Sequence, residues 1–159
     1  MATKVVLIRH GKPQTGEGSN RTDPPLSTEG ETATRKVAQH LDKQGHKPDL
    51  ILCSPLARAK QSAEIVAKVT PAPIQSVEAL GGSFDQDALI AKLPSPSENK
   101  TVYMVGHDPT LTLFAHNLVG EKILPAGLSK SGSVVIEFND TVALGKGRMV
   151  AYYHPDRIS

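Results

Sequence analysis

The chain has no tryptophan, one cysteine, and aromatic residues at only 4% of its 159 positions. A lone Cys53 excludes an internal disulfide. Its setting, Asp49-Leu50-Ile51-Leu52-Cys53, reads as that of a small buried apolar residue. The shortage of aromatics argues against a pocket that stacks bases. The formal net charge is only +2, too small to point to nucleic acid or an acidic membrane, although a local cationic pocket remains compatible with it. No apolar run is long enough for a transmembrane helix. Met1-Ala2-Thr3-Lys4 leads straight into a strand-like segment without a signal-peptide pattern, so a cytoplasmic protein is expected. There is no Walker-type phosphate loop and no obvious carboxylate cluster for Mg²⁺. Repeats and low-complexity segments are also lacking. What is present, 38% apolar and 21% charged residues, is the composition of a globular chain, and the length fits a single domain over 1–159.

Strand and helix patterns alternate along this chain, the signature of an α/β sheet. Val5-Val6-Leu7-Ile8 reads as a buried parallel strand. Thr28-Glu29-Gly30-Glu31 reads as a capping box, opening a helix through Ala33, Val37, Ala38 and Leu41 that Gly45 ends. Asp49 to Cys53 is a second strand. Pro55 fits the first turn of the next helix, with Leu56, Ala59, Ala63 and Val66 on its apolar face. Ile74 to Val77 is a short third strand, Asp85 to Leu93 a short helix, and Thr101 to Val105 a fourth strand. Asp108 and Pro109 then cap a helix running to Gly120. Ser133 to Phe138 and Met149 to Tyr153, joined by a Gly-rich turn, read as an antiparallel pair at the sheet edge. The loops at 12–25 and 122–130 are expected near the ligand end of the sheet, shaping access.

Open α/β sheets bind ligands just past the carboxyl ends of their strands, and three strands here end in cations or imidazoles. The first delivers Arg9-His10-Gly11, the glycine being expected to turn the backbone and let it approach an anion. The second leads into Ser54-Pro55-Leu56-Ala57-Arg58. Arg58 sits in a first helical turn, where a cation is unfavourable unless an anion stands in front of it. The fourth leads into Gly106-His107-Asp108-Pro109. An imidazole beside guanidinium groups suits attack on, and retention of, a phosphoryl group. A thiol nucleophile does not fit. The phosphate loop of thiol phosphatases places five residues between Cys and Arg, whereas four separate Cys53 from Arg58, and Pro55 among them has no N–H to donate.

Taken together, Arg9-His10-Gly11, Asp23-Pro24-Pro25-Leu26-Ser27 with Gly30, Ser54-Pro55-Leu56 with Arg58-Ala59 and Ser62-Ala63, and Gly106-His107 resemble the histidine phosphatase superfamily, the phosphoglycerate-mutase-like clan. The resemblance spans essentially the whole chain. The length and the Gly-His-Asp-Pro motif look most like the small SixA-type phosphohistidine phosphatases. The resemblance implies a three-layer fold, a mostly parallel sheet flanked by helices with an antiparallel edge near the C-terminus.

The resemblance further implies that His10 is the nucleophile, that Arg9 and Arg58 hold non-bridging oxygens, and that His107 donates to a third oxygen. A planar guanidinium can match two oxygens at once. No metal or other cofactor is required. The neighbouring cations are expected to lower the His10 pKa and keep the ring neutral. The general acid is open between Glu78, by its place after the third strand, and Asp108, which directly follows the second histidine; Asp-Pro is equally a helix-start pair. Lys12, Gln14 and Asn20 lie on the loop after His10; an Asn on that loop touches phosphate in the family's mutases, but the spacing here does not match. His40 and His46 read as exposed, His116 as helix packing or surface, and His154 as structural. The expected substrate is a phosphorylated protein, as phosphohistidine, or else a small phosphate ester. A non-catalytic phospho-ligand binding module is the alternative from another class. The short chain argues against a mutase.

Overall fold

The computed structural model describes residues 1–15 and 22–158. Ten principal elements follow in order: β1 (Thr3–Arg9), α1 (Thr28–Lys43), β2 (Leu50–Cys53), α2 (Ala57–Val69), β3 (Ile74–Ser76), α3 (Gln86–Ile90), β4 (Thr101–Gly106), α4 (Thr110–Val119), β5 (Ser133–Phe138) and β6 (Arg148–Tyr153). The six strands form one sheet in the order β3-β2-β4-β1-β5-β6. The β3-β2-β4-β1 half is parallel, and β5 and β6 add to it antiparallel.

Period-two alternation along β1 divides the core into two halves. Val5 and Leu7 face one cluster with Met104, Leu111, Phe114 and Leu118. Val6 and Ile8 face the other with Val37, Leu41, Ala59, Ala63 and Val66. Thus α3 and α4 cover one face and α1 and α2 the other, giving three layers. A central parallel strand buried on both faces must be apolar throughout, and Val5, Val6, Leu7 and Ile8 are at most 1% exposed. The short strand β3 lies at an edge and is exposed along its length.

Register aligns the ends of the parallel strands. Arg9 pairs with Gly106, and Cys53 with Val105. The ladder runs one step past the strands: His10 N–H donates to the Gly106 carbonyl and Ser54 N–H to the Val105 carbonyl. His10, Ser54 and His107 therefore emerge side by side on one rim.

Several local expectations are corrected. The cap of α1 is Ser27, whose Oγ accepts from Gly30 N–H at 3.1 Å. The same hydroxyl donates to the Lys12 carbonyl, so contact with the β1–α1 loop moves the cap one residue ahead of the expected box. Pro55 stands outside α2, which begins at Ala57. The Ala57 N–H donates instead to Asp23 Oδ1 at 2.8 Å. At α4, by contrast, Asp108 and Pro109 cap the helix as expected: Pro109 is its N-cap, and Asp108 Oδ1 accepts the Thr112 N–H. Gly11 has no left-handed backbone. Its N–H is taken by Ser62 Oγ, and a Cβ there would lie 2.7 Å from Thr34 Oγ1 and 2.8 Å from the Gly30 carbonyl. The glycine is needed for close packing of the loop on α1. His46 is buried at 8% exposure and His40 half-buried, because Tyr153 folds across both rings.

Candidate active site

His10 is 6% exposed. Its Nδ1 lies 2.7 Å from the carbonyl of Gly11, which can only accept, so Nδ1 carries the proton. Nε2 is left with a lone pair, and Arg58 Nε donates to it at 3.3 Å. Burial is the largest influence on the ring and lowers its pKa. The bond to Gly11 opposes this, and the charges of His107, Arg58 and Arg9 lower the pKa further, to about 4. The cations assist, but desolvation leads. At neutral pH this ring is an uncharged imidazole with its free nitrogen toward Arg58.

The His107 ring lies 5.0 Å from that of His10, centroid to centroid, tilted by 57°. Its Nε2 is 2.8 Å from Ser54 Oγ, and Ser54 is fully buried. Burial, then Arg58, then Arg9 lower its pKa. Arg58 is held at the start of α2. Ser62, one turn on, donates its hydroxyl to the Arg58 carbonyl at 2.8 Å and accepts the Gly11 N–H at 3.1 Å, tying helix to loop. Asp23, at the head of α2, is the anion in front of this helix start.

Arg9 leaves the end of β1 half-buried, with Nη1 donating to the Leu128 carbonyl at 2.9 Å. Its Nε is buried without a partner. It also lines an open groove of about 460 Å³ with Lys12, Ser129, Lys130 and His154 among its walls. His10, Arg58 and His107 thus form one contact group, and Arg9 joins it through its charge.

The two acid candidates fall elsewhere. Glu78 is exposed at the head of the short 3₁₀ helix after β3. Asp108 adjoins His107, but both its oxygens accept from Thr112: Oδ1 from the N–H at 3.0 Å and Oδ2 from the hydroxyl at 2.7 Å. Lys12 pairs with Glu29 at 3.1 Å, and Gln14 bonds the Leu26 carbonyl. Asn20 lies outside the described residues. His116 accepts the Leu124 N–H, and His154 caps the last 3₁₀ helix. Sequence reasoning assigned no role to Ser54, Ser62 or Thr112. Ser62 was findable from its i+4 spacing to Arg58; the other two depend on contacts between distant segments.

The model of the histidine phosphatase superfamily (branch 1) matches residues 5–81, which carry most of β1 together with Arg9-His10-Gly11 and Arg58. An uncharacterised protein of Picosynechococcus sp. (strain ATCC 27264 / PCC 7002 / PR-6) is 32% identical over 136 residues, 82% of each chain. The phosphatase PhoE of Bacillus subtilis (strain 168), itself uncharacterised, is 33% identical over 79 residues, 48% of this chain and 40% of that one. The chain belongs to the histidine phosphatase superfamily and is a phosphatase. Within that class it is SixA-like. A SixA-class crystal structure from Agrobacterium tumefaciens is 25% identical with a TM-score of 0.79, over 96% of this chain and 98% of that one. The structure of the protein histidine phosphatase SixA complexed with tungstate gives a TM-score of 0.80 at 22% identity, over 96% and 97%. No helix among the described residues is long and apolar enough to cross a membrane.

Proposed function

We propose that this phosphatase works through a phosphohistidine formed on His10 and that its substrate class is phosphohistidine in proteins. The observation that carries the chemistry is the His10 ring, neutral and buried, its one lone pair facing Arg58 Nε and its ring 5.0 Å from that of His107. In the first step the Nε2 lone pair attacks phosphorus and a P–Nε2 bond forms as the bond to the leaving group breaks. In the second, water attacks the same phosphorus, the P–Nε2 bond breaks, inorganic phosphate leaves and the water proton passes to phosphate or solvent. Arg58 and Arg9 offset the charge on the non-bridging oxygens, and His107 donates to a third. Such positioning and charge neutralisation is the main contribution a protein makes to phosphoryl transfer.

The leaving group supports the substrate class. An alkyl ester must expel an alkoxide and needs a proton donor. Glu78 is exposed after β3, and both Asp108 oxygens are engaged by Thr112. A phosphohistidine protonated on its second ring nitrogen expels neutral imidazole and needs no donor. The 122–130 loop also favours a large substrate. Leu124 and Leu128 are buried in the core, which fixes this loop as a wall rather than a closing cover.

The test compares wild type and His10→Ala on a phosphohistidine peptide and on an aryl phosphate, without added metal. The proposal expects wild type to cleave the peptide faster and His10→Ala to cleave neither. Faster cleavage of small phosphate esters would move the substrate class to metabolites. Phosphate binding without turnover would make the chain a binding module.

A further inference from the structure

A chain of hydrogen bonds joins Asp108 to Arg9 across three segments of the fold. Asp108 Oδ2 accepts from the Thr112 hydroxyl at 2.7 Å. That hydroxyl accepts from Leu128 N–H at 3.0 Å. The Leu128 carbonyl accepts from Arg9 Nη1 at 2.9 Å. Every donor along it is fixed. An amide and a guanidinium can only donate, and the one hydroxyl proton of Thr112 is committed to Asp108.

The turn that this chain passes through is pinned to α4 twice, one helical turn apart. Leu128 N–H bonds Thr112, and Leu124 N–H bonds His116 Nε2 at 3.2 Å. Between these points Gly127 has φ +76°, and a Cβ there would stand 3.4 Å from Thr112 Oγ1 and 3.5 Å from Asp108 Oδ2. The turn is seated on the Asp108–Thr112 pair, and Leu128 is 2% exposed beneath it. Its carbonyl is consequently held in one place, and one edge of the Arg9 guanidinium is held with it. A guanidinium recognises oxygens through a rigid planar fork, so its orientation decides whether two bonds form or one.

We propose that Asp108 is a positioning residue that aims Arg9 at the phosphoryl oxygens through Thr112 and Leu128, and that it is not the proton donor of this site. This rests on the assignment of Arg9 to phosphoryl binding made above.

The experiment uses Thr112→Val, Thr112→Ser and Asp108→Asn, alone and in an Arg9→Ala background. The readouts are the inhibition constant of inorganic phosphate, the kinetics on aryl phosphates of graded leaving-group pKa, and the melting temperature. Thr112→Val is expected to weaken phosphate binding and lower kcat/KM, each roughly tenfold, as loss of one bond to a charged group does. Thr112→Ser should restore both. Asp108→Asn should act in the same direction, with the alkaline limb of the pH profile and the dependence on leaving group unchanged. In Arg9→Ala, Thr112→Val should have no further effect on phosphate binding, since coupled residues are not additive.

A selective loss by Asp108→Asn on poor leaving groups, with Thr112→Val like wild type, would overturn the proposal and make Asp108 the acid. A lowered melting temperature with unchanged phosphate affinity in every Thr112 variant would overturn it too, reducing the chain of bonds to fold stability. If wild type neither turns over nor binds phosphate, the failure lies in the site assignment itself.

Discussion

His10 and His46 are both buried histidines, and burial is the largest cause of a lowered pKa in each. Their surroundings differ. The two ring nitrogens of His46 meet Lys4 Nζ at 3.1 Å and the Tyr153 hydroxyl at 3.4 Å, and its carbonyl accepts the Tyr103 hydroxyl. The charges acting on it have both signs, Lys4 against Glu137. Those acting on His10 have one sign, from His107, Arg58 and Arg9. A perturbed histidine is therefore a weak marker of function. Arg9, Arg58 and the His107 imidazole, converging past the ends of three aligned strands, are what an anion requires. His46 braces α1, β1, β4 and β6; His10 faces an unbalanced positive field.

The largest effect that separates the two regions is catalytic. His10→Ala should lower turnover by about 10³-fold or more, as removal of a nucleophile does. His46→Gln should leave activity per folded molecule within about twofold of wild type, since no reacting group touches it. Steady-state assays normalised to folded protein measure both, and comparable losses would erase the difference between the two histidines.

Next comes the nature of the positive field. Arg58→Ala should cost about 10²-fold in kcat/KM. Arg58→Lys should recover little of it, because an ammonium cannot reproduce the fork that faces Nε2 and a phosphoryl oxygen together. Full recovery by lysine would mean that charge alone matters.

Stability also depends on pH through His10. The pKa of His10 falls from an ordinary 6.5 to about 4 in the folded chain. Between those values the unfolded chain binds the proton first, so the His10 contribution is present above pH 6.5 and is lost as pH falls toward 4. The whole span is worth on the order of 3 kcal/mol. Urea titrations of wild type and His10→Gln should diverge through this window, with the variant showing the flatter profile. Parallel curves would show that the ring is not desolvated as described.

Smaller again is the structural role of the second region. Tyr103→Phe should cost about 1–2 kcal/mol by leaving the buried His46 carbonyl unpaired, with kcat unchanged. Smallest is Glu78→Gln, expected to change turnover on phosphohistidine by less than about threefold, as an exposed substitution outside the contact group does. A large loss there would restore Glu78 as the acid.

Much of this contrast was legible in the sequence because it depends on local pattern. The run Val5-Val6-Leu7-Ile8 marks a strand buried on both faces, and the strand then hands Arg9-His10-Gly11 to the rim. Gly106-His107 follows the same logic after β4. Less visible were features fixed by distant partners. His46 follows the polar end of an amphipathic helix and looks exposed until Tyr103 and Tyr153 arrive from two other strands. Thr28 has the better local capping pattern, yet Ser27 caps α1 because the Lys12 carbonyl takes its hydroxyl proton. Asp108-Pro109 announces a helix start, but nothing local says that Thr112 then carries the bond to Leu128. Gly11 announces a backbone need, and only the packed Gly30 and Thr34 show that the need is space rather than a left-handed turn.

His10 is expected to carry the phosphoryl group between two half-reactions. Rapid acid-free quenching during turnover of a phosphohistidine peptide, followed by proteolysis and mass spectrometry, tests it directly. A phosphoryl group on the peptide containing His10, labile to acid and stable to alkali, is expected to form and decay at rates matching turnover. Steady turnover with no such species, at a time resolution shorter than one cycle, would contradict that role and leave direct attack of water on the substrate as the mechanism.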